Sequence, residues 1–170
     1  MPASKTDVAK ISALIHAHDD ERRLGRLLET LRPCDEVVVI DHGSSDRTRE
    51  VAREYGATVR AGVLGVKPGA YVADLKHDWV LCLLPCESLS EALETSLFEW
   101  KENFNEEQQP AEIPSGYCIS MREERGAGWG TRSPEFRLVN RNRINWTDEL
   151  PPNVCPGPSL SGEILRFSSP

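Results

Sequence analysis

Residues 36–50, EVVVIDHGSSDRTRE, hold four consecutive apolar residues, Val37 to Ile40, that run into Asp41 and a short polar turn, His42-Gly43-Ser44-Ser45. A short apolar run bounded by turn residues is the pattern of a strand buried on both faces of a parallel sheet. It sets a carboxylate at the carboxyl end of the strand, where open α/β sheets bind their ligands. Gly43 permits a turn that most side chains would obstruct. Asp46 is placed to cap the next helix and puts negative charge on its positive end.

On either side of this stretch the chain alternates strand and helix. Ile11–Ile15 reads as a first strand, and Leu24, Leu27, Leu28 and Leu31 mark one face of a helix that Pro33 ends. Thr48, Val51, Ala52 and Tyr55 predict the inner stripe of a second helix, with Gly56 at its C-terminal cap. Ala57–Arg60 is a short third strand, 61–69 a Gly- and Pro-punctuated loop, and 70–76 a short helix. Trp79–Leu84 reads as a central strand. Ser88 and Glu91 form a capping box for a helix over 89–103, whose Leu93, Leu97, Trp100 and Phe104 face the sheet. The acidic stretch 105–112 reads as an exposed loop. Tyr117–Met121, Phe136–Val139, a short piece near Trp146 and Ile164–Phe167 are the remaining strands, and 123–134 and the Pro-rich 150–158 are irregular. The expected architecture is a three-layer α/β/α sandwich with a mostly parallel central sheet, in one domain spanning 1–170.

Composition narrows the function classes. A chain of 170 residues with 39% hydrophobic residues suits one core. The net charge of −7, with Lys and Arg scattered, argues against a nucleic-acid partner. No apolar run approaches the roughly 18–20 residues of a membrane span, and MPASKTDVAK lacks the apolar core of a signal peptide, so the expected location is cytoplasmic. Five irregularly spaced cysteines without a CxxC pair argue against a disulfide framework or a thiolate zinc site. His16, His18 and His42 would meet at one edge if the first two strands are neighbours. A histidine metal site is then one reading, and plain clustering of polar turn residues the other.

EVVVIDHGSSDRTRE resembles the second strand and turn of family 2 glycosyltransferases, VVVDDGSTDGT. ISALIHAHDDERRLGRLLETL (11–31) is similar to that family's opening ISVVIPTYNEEERLGRLLESL, and DWVLCLLPCESLS (78–90) to DWVLFLDADERLS. FRLVNRNRINW (136–146) and SGEILRF (161–167) resemble the lipopolysaccharide-core branch, LRLFRRGKARW and KGEILHY. About four-fifths of the chain is covered. The resemblance implies a GT-A fold of the nucleotide-diphospho-sugar transferase type. It implies a domain that binds a nucleotide-sugar donor and transfers the sugar, with inversion, to a glycan or lipid acceptor.

Three chemical needs follow from that resemblance. The first is a seat for the nucleotide: His18 stands where the family has an aromatic that covers the base, and Asp41 where an aspartate bonds the base. The alternative for Asp41 is that it only ends its strand and bonds the turn amides. The second is neutralisation of the diphosphate, for which the family holds Mg²⁺ or Mn²⁺ on an Asp-x-Asp. Here Leu84, Pro85 and Cys86 stand in its place, leaving Glu87 one position later as the metal residue. A cation is expected only together with bound nucleotide diphosphate. The family's basic–Asn pair ahead of the short helix is replaced by Pro68-Gly69, and Lys67 or Arg132 are possible cationic substitutes. The third is a general base, for which Glu135 is the catalytic candidate, with Glu149 matching a second family carboxylate. Trp129, in a Gly-rich stretch, either stacks on a sugar as a lid or pins its loop. The degenerate metal motif leaves a second class open, a catalytically inactive relative that binds a nucleotide, a sugar or a protein.

Overall fold

Strand β1 (Ile11–Ala17) is the middle of the sheet, and all seven of its residues are buried. It pairs in parallel with β2 (Glu36–Asp41) on one side and with β4 (Trp79–Leu83) on the other. β3 (Thr58–Ala61) extends the parallel part beyond β2. In the computed structural model, which describes residues 8–104, 112–155 and 157–170, the sheet then changes character. β8 (Ser133–Asn140) runs antiparallel to β4, and β6 (Gly116–Arg125) antiparallel to β8. β9 (Ser159–Arg166) lies parallel to β6, and β5 (Glu87–Leu89) closes the edge antiparallel to β9. The order is β3-β2-β1-β4-β8-β6-β9-β5, with β7 (Gly128–Trp129) paired only to β6.

Alternation along the parallel strands sends apolar side chains to both faces. On one face Ile11, Ala13, Ile15, Val39, Leu81 and Leu83 pack against three helices. These are α1 (Leu24–Glu29), α2 (Thr48–Glu54) and α3 (Glu91–Asn103). On the other face Leu14, Val38, Ile40, Val80 and Cys82 are covered by Tyr71, Leu75 and Trp146. That second outer layer is a 3-10 helix, Pro68–Asp74, rather than an α-helix over 70–76. A Cβ on Gly69 would meet the Trp146 carbonyl oxygen at 2.0 Å, so only glycine lets the two segments of this layer touch. The three-layer α/β arrangement is therefore present, with one thin layer.

Several local expectations shift. α3 is capped by Ser90, whose hydroxyl accepts from the Leu93 amide, and not by Ser88, which lies in β5. Tyr55 is not part of the inner stripe of α2: it is 45% exposed, and its hydroxyl donates to Glu29. The stretch 123–134 is not a loop, because β6 runs on to Arg125 and turns back through β7 into β8. No strand forms near Trp146. Cys118 in β6 is disulfide-bonded to Cys155 in the Pro-rich segment, leaving Cys34, Cys82 and Cys86 free. The expectation against a disulfide framework missed this single bridge, since irregular spacing says nothing about which strands become neighbours. The first seven residues, and residues 105–111 of the acidic stretch, lie outside the described part. Among the described residues no helix is long and apolar enough to cross a membrane.

Candidate functional site

The turns that follow β1 and β2 are stitched together by reciprocal hydrogen bonds. The Asp19 amide donates to Ser44 Oγ (3.0 Å), the Asp20 amide to Thr48 Oγ1 (2.7 Å) and the Glu21 amide to Asp46 (3.1 Å). In return the Ser45 amide donates to Asp19 (2.7 Å) and the Arg47 amide to Glu21 (3.0 Å). Asp19 adopts φ 54°, a left-handed conformation that aspartate tolerates better than most residues. The Ser45 amide is the largest influence holding its carboxyl below the usual range. The Thr48 amide, at the start of α2, donates to Asp46 (2.9 Å), although the N-cap position itself is Arg47, which makes no side-chain cap bond.

Beside this double turn opens a cavity of about 290 Å³, at the carboxyl ends of β1 and β4. The sheet order 3-2-1-4 changes direction there, the place where such sheets bind ligands. His16, His18, Asp20, Arg23 and His42 line one side, and Leu84, Pro85, Cys86 and Glu149 the other.

The three histidines do meet. His16 Nδ1 and His42 Nε2 are 2.8 Å apart, so one ring donates to the other. His18 Nδ1 donates to the His42 carbonyl at 2.8 Å, which leaves the exposed His18 ring at the mouth. Tyr71 packs edge-on against His16 from below. Burial, and then the neighbouring His42, lower the His16 pKa from 6.5 to about 4, so it is neutral at pH 7. Among the described residues no group of three or more His, Cys, Asp or Glu side chains is placed to hold a metal ion.

Arg23 reaches the cavity without a carboxylate partner among the described residues. Glu149 is exposed there. Cys86 is half-buried, and burial raises its thiol pKa.

Of His18, Asp41, Glu87 and Glu135, only His18 lines this cavity, while Glu149, the second carboxylate named from the sequence, lines it as well. Asp41 is 4% exposed. Both of its oxygens lie 3.3 Å from the Ser44 amide, and Arg49 stands 3.8 Å away. It holds the turn, the alternative weighed for it above.

Glu87 is fully buried. Arg137 grips it with two bonds, 2.9 and 2.8 Å, Arg166 bonds it at 2.9 Å, and the Leu84 amide at 2.8 Å. A carboxylate so engaged has no lone pair to offer a hard cation, and Leu84, Pro85 and Cys86 supply no oxygen side chain. In this arrangement these residues do not fit Mg²⁺ or Mn²⁺.

Glu135 lies in the same cluster and accepts from Arg137 Nε at 2.8 Å and Nη2 at 2.6 Å. Burial would lower the Arg137 pKa, but Glu87 and Glu135 more than reverse this and raise it above the ordinary arginine value.

Sequence reasoning missed Arg137, Arg166 and Arg23. The signal for Arg137 was present, since a charge inside the apolar run FRLV has to find a buried partner. Arg132, considered as a cationic substitute, instead pairs with Glu163.

No family model matches the chain. It is similar to 4,4'-diaponeurosporenoate glycosyltransferase of Staphylococcus haemolyticus, 46% identical over 52 residues, which is 29% of this chain and 14% of that protein. It is also similar to an uncharacterized glycosyltransferase of Rickettsia bellii, 33% identical over 93 residues, covering 52% of this chain and 31% of the relative. The chain thus spans less than a third of these curated relatives. Among solved structures, mannosyl-3-phosphoglycerate synthase from Rubrobacter xylanophilus superposes with a TM-score of 0.49 at 18% identity, covering 69% of this chain and 41% of that one. Glucosyl-3-phosphoglycerate synthase from Mycobacterium tuberculosis, with Mn²⁺ and UDP-glucose, gives 0.49 at 18% identity, covering 68% and 44%. Superpositions this loose add no weight. The chain is thus similar in sequence to parts of these glycosyltransferases, and its parallel half has the strand order 3-2-1-4.

Proposed function

We propose that the domain binds a nucleoside-diphosphate sugar in the cavity at the ends of β1 and β4, without a metal ion, and transfers the sugar to a glycan or lipid acceptor. The observation that carries this reading is the cavity's position. It sits at the change of direction in the strand order, and its walls come from the same segments that resemble glycosyltransferases. His18 stacks on the base at the mouth. Arg23, a cation without a carboxylate partner among the described residues, takes the place of a metal beside the diphosphate. Two carboxylates line the cavity; Asp20 accepts from the His18 amide at 2.9 Å, and Glu149 is the base in place of Glu135. In transfer the acceptor hydroxyl gives its proton to Glu149 and its oxygen bonds the anomeric carbon. The bond from that carbon to the diphosphate oxygen breaks, and the charge leaves on the diphosphate beside Arg23.

A second reading, binding without transfer, has its own support. The two carboxylates expected to do chemistry, Glu87 and Glu135, are locked by arginines. Calorimetric titration with UDP, GDP and dTDP, with and without Mn²⁺, tests the common part. The expected result is binding that Mn²⁺ does not tighten and that Arg23→Gln weakens by about tenfold or more. Absence of binding at millimolar nucleotide overturns both readings. Release of nucleoside diphosphate from the matching nucleotide sugar separates them: release that Glu149→Gln abolishes supports the enzyme, and binding without release supports the module.

A further inference from the structure

A second group of side chains is joined to the cavity wall by one backbone hydrogen bond. The Phe167 amide donates to the carbonyl of Cys86, a residue of the cavity wall, at 2.8 Å. Arg26, one helical turn after Arg23 on α1, lies over the Phe167 ring at 4.0 Å. Trp129 meets the same ring edge-on, with centroids 5.3 Å apart. The Ser168 amide and hydroxyl both donate to Glu124 of β6, which fixes the segment carrying Phe167 against the strand whose hairpin carries Trp129.

Two facts about this surface call for a ligand. Trp129 is 40% exposed, whereas Trp79, Trp100 and Trp146 are each 9% exposed or less. Phe167 takes one contact of the indole and Arg122, already paired with Glu163, lies over one face at 5.8 Å, which leaves the opposite face for a ligand. Arg26 makes no ion pair among the described residues of a chain whose net charge is −7. The other arginines near Trp129 are satisfied: Arg122 and Arg132 by Glu163, and Arg125 by Glu123.

We propose that Trp129, Phe167 and Arg26 form an acceptor subsite for a saccharide carrying a phosphate or carboxylate. The negative face of an indole attracts the polarised C–H groups of a sugar ring. A guanidinium free of carboxylate partners pairs with an anion in fork geometry. The proposal rests on reading the cavity as the donor site, since Phe167 is hydrogen-bonded to Cys86 of the cavity wall and Arg26 follows Arg23 by three residues. An anionic sugar on Trp129 and Arg26 presents its hydroxyls toward the donor. The same basic edge repels no part of it.

The test titrates the full chain with glucose 6-phosphate and with glucuronate, using glucose and inorganic phosphate as partial probes. Binding is followed by calorimetry and, in the wild type, by tryptophan emission, to which Trp129 contributes the exposed signal. At least one anionic sugar is expected to bind about tenfold or more tightly than either partial probe. Trp129→Ala and Arg26→Gln are each expected to weaken it by about tenfold or more while UDP affinity stays unchanged. Which of the two sugars binds identifies the anion. Equal binding of glucose, phosphate and the anionic sugars overturns the subsite, as does wild-type affinity in both variants. Failure of the donor reading is a different observation, namely no UDP binding by the wild type.

Discussion

The two halves of the sheet are held in different ways. In the parallel half, β1 to β4, the interior is apolar on both faces and the polar work is done at strand ends. There backbone amides and short side chains of two turns bond each other. In the antiparallel half the central fixings are ionic. Arg137, 1% exposed, ties Glu87 of β5 to Glu135 of its own strand and to the Cys82 carbonyl of β4, with Arg166 of β9 completing the group. The first arrangement is local and tolerant, because each turn bond is one of many. The second is long-range and unforgiving, because each buried charge depends on its partners.

The largest expected effect breaks the ionic half. Arg137→Met removes the two-bond partner of buried Glu87, leaving it Arg166 and the Leu84 amide, and should destabilise the protein by about 3 kcal/mol, read by denaturant unfolding. The double replacement Glu87→Leu, Arg137→Met should recover most of that loss. If the single variant costs less than about 1 kcal/mol, the contrast between the halves is wrong. The next effect lies at the mouth of the parallel half. The folded-state pKa of His16 is depressed, so the stability it contributes is complete above its ordinary value of 6.5 and is lost as pH falls towards about 4. Between pH 7 and 5 this amounts to roughly 2 kcal/mol. His16→Gln should flatten the stability profile in that window, and an unchanged slope would assign it to other groups. The smallest effect sharpens the reading of the stitched turns. Asp41→Asn keeps an acceptor for the Ser44 amide but loses the charge near Arg49, and should cost about 1 kcal/mol. UDP affinity should stay within about twofold, since Asp41 does not line the cavity. Loss of affinity without loss of stability would return Asp41 to the nucleotide.

The same contrast decides how much the sequence reveals. β1, β2 and β4 stand out as apolar runs because burial on both faces leaves no room for other residues. β6 does not. Its outer half is Met121-Arg122-Glu123-Glu124-Arg125, whose charges face neighbours such as Glu163 that lie about forty residues away. The cavity's location was legible from Val37–Asp41, and its histidines from their positions after the strands. The fates of Glu87 and Glu135 were not, because their arginines come 50 and 79 residues after Glu87, or two after Glu135 with no hint of direction. A one-dimensional pattern shows which charges exist but not which become neighbours.

The separation between Glu87 and Arg166 also has a meaning in time. A chain grows at roughly 5–20 residues per second, so Glu87 is made about 4–16 s before the last of its counter-ions. During that interval β1 to β4 and their helices can assemble, since every strand pairing they need is already present. The segment around Glu87 cannot settle into its buried place beside β9, because β9 does not yet exist. A nascent chain can therefore hold β1 to β4 paired with one another while β8, the other neighbour of β4, and β9 are still to come. The floor of the cavity, set by the Glu87 bond to the Leu84 amide, still waits for its last strand.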